Sequence, residues 1–184
     1  MRGGFNSPIP LKMNSFRFSP IKNPEELLGA ITHTHLVCHK LCKQVLGEYL
    51  PVAGNIGIFC HFDDEFAYLT KLREELTDST RNWNQKYYHL HKPIFIPAID
   101  DIPETTYICL YIRKPDPEQP DVGDVDFFME PERYQKLKAS LLAGEKIAGA
   151  SIFDRPDLDL VKLFDPNVDA QSFVGSNLMS EIVK

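Results

Sequence analysis

The sequence contains no long apolar run. No stretch approaches the roughly 18 consecutive apolar residues that a membrane-spanning helix requires, and residues 1–16 lack the apolar core of a signal peptide. These two absences predict a cytoplasmic protein that does not enter the membrane. Hydrophobic residues still make up 43% of the 184 residues, which is enough for one packed domain or two small fused modules.

Positive charge is also scarce. The chain carries 20 lysine and arginine residues against 26 aspartate and glutamate residues, so its formal net charge is -6, and the positive residues form no cluster. Proteins that bind nucleic acids neutralise phosphates with clustered lysine and arginine side chains. A nucleic-acid partner is therefore not expected.

Cysteine is also scarce. The four cysteines, Cys38, Cys42, Cys60 and Cys109, form no CxxC pair and lie inside apolar segments. That pattern is typical of buried thiols in a reducing compartment and not of a disulfide framework. The sequence also lacks a P-loop, a dinucleotide-binding fingerprint and a Ser-His-Asp order, so it offers no support for the chemistry of those motifs.

Two segments precede the main body of the chain. Residues 1–22 are rich in proline and show no period, which predicts an extended N-terminal arm. Residues 23–50 predict one long helix, because Asn23 is a good N-cap and Pro24 suits the first helical position. Pro51 is expected to stop that helix.

Residues 51–184 are predicted to form a single α+β domain made of two repeats, about 54–115 and 123–170. Each repeat starts with a glycine and an apolar run, continues with an amphipathic helix, and ends in strand-like segments. Gly54 aligns with Gly123 at a spacing of 69 residues. The repeats predict two β-α-β-β units, with room for one more short strand. The alternative is a ferredoxin-like α/β sandwich, because the order β-α-β-β-α-β is contained in the same pattern.

The closing stretch FDRPDLDLVKLFDP, residues 153–166, resembles the final hairpin of the vicinal-oxygen-chelate superfamily, which includes glyoxalases and extradiol dioxygenases. In that superfamily a strand runs into a D-P-D-G-like turn and then into a strand that ends in E-L. The corresponding positions here are Asp154, Pro156, Asp157, Leu163 and Asp165. The resemblance implies a mostly antiparallel curved sheet around a cleft, with a divalent metal held from the first and last strands of each unit.

The resemblance also implies roles for particular residues. His61 and Glu130 stand at the first-strand positions, while Tyr111 and Lys162 stand nearest the last-strand positions. A protonated lysine cannot ligate a metal. The resemblance therefore implies either a metal-dependent lyase, isomerase or dioxygenase, with Glu130 and Lys162 as its catalytic candidates, or a metal-free protein that binds a small molecule in the same cleft.

A histidine pair on a strand extends the metal hypothesis. Alternation along residues 87–91 places His89 and His91 on one face of a predicted strand, as in many metal sites. If His61 lies across the sheet from them, the three histidines form one site. His61, His89, His91 and Glu130 are therefore the candidate ligands for one divalent metal (Zn, Fe, Mn or Ni). A solvent-facing strand edge is the alternative interpretation.

A second histidine group, in HTHLVCHKLC at residues 33–42, has two interpretations. His35 and His39 are spaced i and i+4 and could hold a metal together with Cys42. The other interpretation is a packed helix whose edge histidines form local hydrogen bonds. The apolar periodicity favours the packed helix, because both cysteines fall in its apolar arc.

Two classes of function remain open at this point. The first is a cleft protein that binds a small-molecule ligand, with or without catalysis. The second is a non-catalytic interaction or scaffolding protein that contacts a protein partner through the arm and the long helix; a homodimer is compatible with both. Trp83, in the polar segment 81–85, would mark a ligand or partner contact if it were exposed.

Overall fold

A computed structural model describes residues 16–79, 86–155 and 158–182. The first 15 residues of the predicted arm, the segment around Trp83 and the turn residues Pro156 and Asp157 lie outside these ranges. The elements, in chain order, are α1 (Pro24–Leu46), β1 (Val52–Phe59), α2 (Asp63–Leu76), β2 (Tyr88–Ile96), β3 (Thr105–Arg113), β4 (Gly123–Phe128), α3 (Pro131–Leu142), β5 (Ala150–Arg155), β6 (Leu158–Leu163), β7 (Ala170–Gly175) and α4 (Met179–Ile182).

The seven strands of the described ranges form one mixed sheet in the order β2-β3-β1-β4-β7-β6-β5. The β1/β3 and β4/β7 pairs are parallel, and the other four pairs are antiparallel. The predicted α+β class with a mostly antiparallel sheet is confirmed. The ferredoxin-like alternative is not adopted, because β1 and β3 run parallel and residues 114–122 between β3 and β4 contain no helix.

The sheet has two halves of similar connectivity. The first half is β1-α2-β2-β3, and the second is β4-α3-β5-β6-β7. In each half the last strand pairs in parallel with the first strand. The halves meet where β1 and β4 pair antiparallel, with Ile56 opposite Val125. The duplication of the sequence itself stays a prediction.

Helix α1 ends four residues before the predicted end at residue 50. Its start is as expected, since the Asn23 side chain accepts a hydrogen bond from the backbone N–H of Glu26. At the other end Gly47 takes a left-handed conformation (φ 80°), and its N–H donates to the carbonyl of Lys43 at 2.9 Å. Glycine reaches this conformation without strain. The helix therefore stops at Gly47, well before Pro51 can interrupt it.

The core lies between α1 and one face of the sheet. Helix α1 contacts β4, β7, β1 and β6, while α2 packs on β3 and β2. Cys38 and Cys42 lie in this core with Ile31 and Leu41, as their periodicity predicted. All four cysteines are free and buried, and burial raises the pKa of the Cys42 thiol to about 11. The cysteines therefore serve packing and not nucleophilic chemistry.

The described part of the N-terminal arm is fixed by one buried carboxylate. Glu65 accepts hydrogen bonds from Ser19 Oγ at 2.9 Å, from the N–H of Ile21 at 2.8 Å and from the N–H of His61 at 2.8 Å. The ring of Phe16 stacks on His61 with centroids 3.9 Å apart. Glu65 is only 2% exposed, so these donors replace the water that the carboxylate loses.

Replacing Glu65 with alanine is expected to lower the free energy of unfolding by about 3 kcal/mol, because three donors lose a charged acceptor. Urea unfolding measures this change. Asp63→Ala is the matched control, since Asp63 is an exposed acid in the same helical turn; it should cost less than about 1 kcal/mol. Equal losses in the two variants would contradict the anchoring role of Glu65.

Candidate functional site

Two acidic side chains of β4 lie on the sheet face opposite α1. Alternation along the strand places Val125 and Phe127 in the core, and it directs Asp124 and Asp126 to the other face. The two aspartates are only 8% and 5% exposed. Burying a carboxylate costs free energy unless it is paired or protonated. The position of these two side chains therefore needs a functional or structural explanation.

The aspartates form part of the wall of a cleft of about 230 Å³. Every strand except β2 contributes to its lining, and Lys86 and Tyr87 just before β2 complete it. The charged residues that line the cleft are Lys86, Arg113, Asp124, Asp126, Arg155 and Lys162. The cleft thus combines two acids with four cations.

Neighbours on β1 position the two carboxyl groups. The amide of Asn55 donates a hydrogen bond to Oδ2 of Asp126 at 2.8 Å. Gly57 pairs with Asp124 across the strands, and a Cβ atom at Gly57 would lie 2.0 Å from Oδ1 of Asp124. Only glycine leaves room for the carboxyl group at this point. Residues 55–57 of β1 therefore supply the hydrogen bond and the space that the two aspartates of β4 require.

Both carboxyl groups hold protons more tightly than exposed aspartates do. Burial is the main cause of the raised pKa of Asp124; the neighbouring charge of Asp126 raises it further, and Arg113 partly opposes both. Burial also raises the pKa of Asp126, to about 6, although the Asn55 hydrogen bond favours its charged form. The partners of the two groups differ, so the carboxyl group that holds its proton to higher pH can donate while the other accepts.

The cations of the cleft differ in how they are held. Arg113 donates to Asp116 at 2.9 Å, and its guanidinium lies over the ring of Phe59 at 4.7 Å. Lys162, on β6, is half-buried; across the described ranges it forms no ion pair within 4 Å. Burial raises the pKa of the Tyr111 hydroxyl, so this cleft residue is neutral at physiological pH.

Tyr111 lies on β3, the last strand of the first half, whereas Lys162 lies on β6 and not on β7, the last strand of the second half. Lys162 and Tyr111 both line the cleft. The first-strand candidates do not lie there. Glu130 is the N-cap residue of α3, just beyond β4, and His61 lies just beyond β1, where its Nδ1 is 2.7 Å from Ser19 Oγ. The inward-facing positions of these two strands belong instead to Asn55, Gly57, Asp124 and Asp126.

The structure does not bring the predicted metal ligands together. His89 and His91 each contact the carboxylate of Asp78, at 3.2 Å and 3.3 Å. His89 pairs with Cys109 and Cys109 pairs with Asn55. Asn55 is thus level with His89 in the sheet. His61 is six residues further along the chain from Asn55, which corresponds to about 20 Å of extended chain, so His61 does not join His89 and His91 in one site.

No group of three or more metal-ligating side chains occurs in residues 16–79, 86–155 and 158–182. The cleft itself offers two carboxylates beside four cations, and cations in the lining oppose the approach of another cation. The donor set of the cleft therefore does not fit a divalent metal.

His35 and His39 of α1 belong to the core, as the packed-helix interpretation predicted. His35 Nδ1 is 2.9 Å from the hydroxyl of Tyr107, and His39 Nδ1 is 2.9 Å from the carbonyl of His35. Cys42 donates to the carbonyl of Glu48 and not to a shared ligand. Burial, with a smaller effect of His39, lowers the pKa of His35 to about 4; burial also lowers the pKa of His39.

Acidification is expected to destabilise the protein through His35. Its pKa is about 4 in the folded protein, against an ordinary value of 6.5 for an exposed histidine, so its stabilising effect is complete above pH 6.5 and is lost as the pH falls toward 4. The loss amounts to about 2 kcal/mol by pH 5. Urea unfolding of wild type and His35→Phe at pH 7 and pH 5 isolates this effect by difference. The same pH dependence in both proteins would contradict it.

Asp124 and Asp126 were not among the site residues predicted from the sequence. Their signal was available, because G-D-V-D-F-F alternates acidic and apolar residues within a segment that reads as a buried strand. Acids at alternating positions of such a strand must share one face and lie close together. The superfamily resemblance instead directed attention to Glu130, two residues beyond the strand.

Comparison with known proteins finds few similarities. No protein-family model and no curated protein matches the chain. Two solved structures do match, both variants of methylmalonyl-CoA epimerase from Streptomyces coelicolor in complex with 2-nitronate-propionyl-CoA. Each shares 15% identity and spans 68% of this chain and 98% of its own, with TM-scores of 0.30 and 0.29. These epimerases belong to the vicinal-oxygen-chelate superfamily. At this level the comparison does not assign the chain to a family, and the function is argued from the cleft.

No helix of the described ranges is both long and apolar enough to cross a bilayer.

Proposed function

We propose that this chain is an enzyme of the isomerase or lyase type, which moves a proton on a small molecule bound in the cleft. The observation that carries the proposal is the pair Asp124 and Asp126, two buried carboxyl groups side by side in the wall of an open cleft. A pair of this kind costs folding free energy. It is typical of sites that exchange protons with a ligand.

Asn55 distinguishes the two carboxyl groups. Its amide hydrogen bond favours the charged form of Asp126, whereas Oδ1 of Asp124 has no hydrogen-bond partner within the described residues. Asp124 has only a minor backbone hydrogen bond from Gly57 to favour its charged form, and the charge of Asp126 opposes its ionisation. Asp126 is therefore assigned as the proton acceptor and Asp124 as the donor. In one turnover Asp126 takes a proton from an acidic C–H bond beside a carbonyl, and Asp124 returns one to the substrate.

The substrate itself accepts the electron pair that this step releases. When the C–H bond breaks, its electron pair moves into the adjacent carbonyl, which gives an enolate, and the cations of the cleft stabilise that charge. Return of a proton to carbon restores the carbonyl and completes an isomerisation. Loss of a leaving group from the enolate instead gives a lyase. Neither route needs an oxidant.

The alternative function as an interaction or scaffolding protein has less support. The described part of the arm, residues 16–22, is bound to its own chain through Glu65 and His61. The long helix α1 buries its apolar arc against its own sheet. Residues 16–22 of the arm and the apolar face of α1 are thus used within the fold.

Solvent deuterium exchange tests the proposal. The protein is incubated in D₂O with a mixture of charged and neutral carbonyl compounds: acetoacetate, 2-oxobutyrate, 2-oxoglutarate, butanone and hydroxyacetone. Mass spectrometry then measures deuterium gained beside each carbonyl. Faster exchange than in buffer is expected for at least one compound, with a loss of at least about 100-fold in Asp126→Asn.

The control is Asp63→Asn, which removes an exposed acid from the start of α2, on the other side of the sheet. It should exchange at the wild-type rate. Exchange at the buffer rate for every compound would contradict the proposed function, and so would full activity of Asp126→Asn.

A further inference from the structure

We propose that the substrate is a small organic anion, bound through a carboxylate or phosphate group by Lys162 with the help of Arg113. This inference rests on the proposed function, because it names the substrate class of the same cleft. It starts from the charges that face the cavity. Four cations and two carboxyl groups line it, so positive charge is in excess even when both carboxyl groups are ionised.

Lys162 is the cation most available to a ligand. Arg113 is already paired with Asp116 at 2.9 Å, and Lys86 is exposed to solvent. Within the described ranges the ammonium group of Lys162 forms no ion pair or hydrogen bond, and its charge partly opposes the rise in the pKa of Asp121 that burial causes. A half-buried ammonium group that faces a cavity gains most from a ligand that brings the missing negative charge.

The cations converge on one place although they come from different halves of the sheet. The charges of Lys162 and Arg113 both oppose the rise in the pKa of Asp121 that burial causes. The charges of Arg113 and Arg155 do the same for the pKa of Tyr111. Lys162 and Arg155 belong to the second half of the sheet and Arg113 to the first. A ligand anion between the halves therefore meets positive charge from both sides.

Arg113 is suited to a planar oxyanion. Its guanidinium is held in orientation by Phe59 beneath it and by Asp116 at one end. A guanidinium fixed in this way can donate two parallel hydrogen bonds to a carboxylate or phosphate. A carboxylate also withdraws electrons from a neighbouring C–H bond when it is bound by cations, which helps Asp126 remove the proton.

The size of the cleft limits the ligand. Its 230 Å³ is below the roughly 300–1,000 Å³ that encloses drug-sized molecules. The cavity therefore has room for a small anion with a few carbon atoms, or for the reacting part of a larger one.

Calorimetric titration tests the inference with five probes: malonate, succinate, glycerol 3-phosphate and the neutral diamides malonamide and succinamide. Each is titrated into wild type, Lys162→Met and Lys40→Met. Lys40 is an exposed lysine of α1 on the far side of the sheet, so its replacement removes the same charge away from the cleft. At least one anion should bind wild type and Lys40→Met at least tenfold more tightly than the neutral diamides. Lys162→Met should weaken that anion at least tenfold.

The carboxylate probes and the phosphate probe distinguish the two sources of the anionic group. Three results overturn the inference: no anion binds, diamides bind as well as anions, or Lys162→Met binds anions as wild type does. The deuterium experiment separates this failure from failure of the proposed function. If only the neutral ketones exchange, and the exchange is lost in Asp126→Asn, the proposed function holds and the anion site is wrong. If anions bind through Lys162 but no compound exchanges, the anion site holds and the proposed enzyme is wrong.

Discussion

Asp124→Asn is expected to make the protein more stable at pH 8 while it abolishes proton transfer. Burial and the charge of Asp126 raise the pKa of Asp124, so folding opposes ionisation of this group. An asparagine fills the same space without a charge to desolvate. The expected gain in the free energy of unfolding is about 1 to 3 kcal/mol. Most substitutions of buried residues destabilise proteins, so a gain here would identify a residue kept for function.

The gain should depend on pH in a defined direction. A carboxyl group whose folded pKa lies above its unfolded value favours the folded state at low pH, and this contribution is lost as the pH rises. For Asp126 the change spans roughly pH 3.8 to about 6, and for Asp124 it extends well above pH 3.8. Asp124→Asn should therefore match wild type near pH 4 and exceed it at pH 8.

Urea unfolding at pH 4, 6 and 8 measures this difference. Asp63→Asn serves as the control, because it removes an exposed acid and should show no comparable gain at any of these pH values. The comparison between variants also removes the opposite pH dependence of His35. A loss of stability at pH 8 in Asp124→Asn would show that the carboxylate stabilises the fold, and the functional interpretation would fail.

Gly57→Ala is expected to cost about 3 kcal/mol of stability and to disrupt the cleft. The new methyl group would lie 2.0 Å from Oδ1 of Asp124 and 3.3 Å from the ring of Tyr111. Asp124 is a short side chain in a buried site, so it cannot move aside without strain. Gly29→Ala is the control, because a Cβ there meets only an ordinary contact at 3.6 Å; a glycine replaced inside a helix should give a small gain.

A double-mutant cycle identifies the cause of the Gly57→Ala effect. In Asp124→Ala the carboxyl group is absent, so the methyl group of Gly57→Ala has space and should cost about 2 kcal/mol less than in wild type. Urea unfolding of the four proteins gives the coupling. Additive effects would mean that the penalty arises elsewhere in β1, and the proposed fit between Gly57 and Asp124 would be wrong.

The sequence predicted those features that depend on local pattern. The start of α1 followed from Asn23 and Pro24, and the order of the elements from β1 to β6 followed from apolar periodicity. Strand β7 and helix α4 lie beyond the predicted repeats and were not located. The buried state of Cys38 and Cys42 followed from the helical arc. In each case one segment carries the whole physical cause. The end of α1 was predicted too late because Pro51 received more weight than Gly47, although a left-handed glycine ends a helix at once.

The candidate site depends on distances between segments, which the sequence does not contain. Lys162 and Tyr111 were placed near the cleft by a resemblance. His61, His89 and His91 were joined by an assumption about which residues lie across the sheet. The strand order β2-β3-β1 and the register of His89 with Cys109 separate them. Asp124 and Asp126 could have been found, because alternation alone places them together on one face.

The central claim is that Asp124 and Asp126, buried side by side in the wall of the cleft, both hold protons to higher pH than exposed aspartates do. Carbon-13 NMR of aspartate carboxyl groups tests it without knowledge of the substrate, with the two resonances assigned through Asp124→Asn and Asp126→Asn. The account predicts that the pair titrates in two separate steps, both above the ordinary range near pH 4. Two independent titrations near pH 4 in the folded protein would contradict the claim, and with it the proposed enzyme.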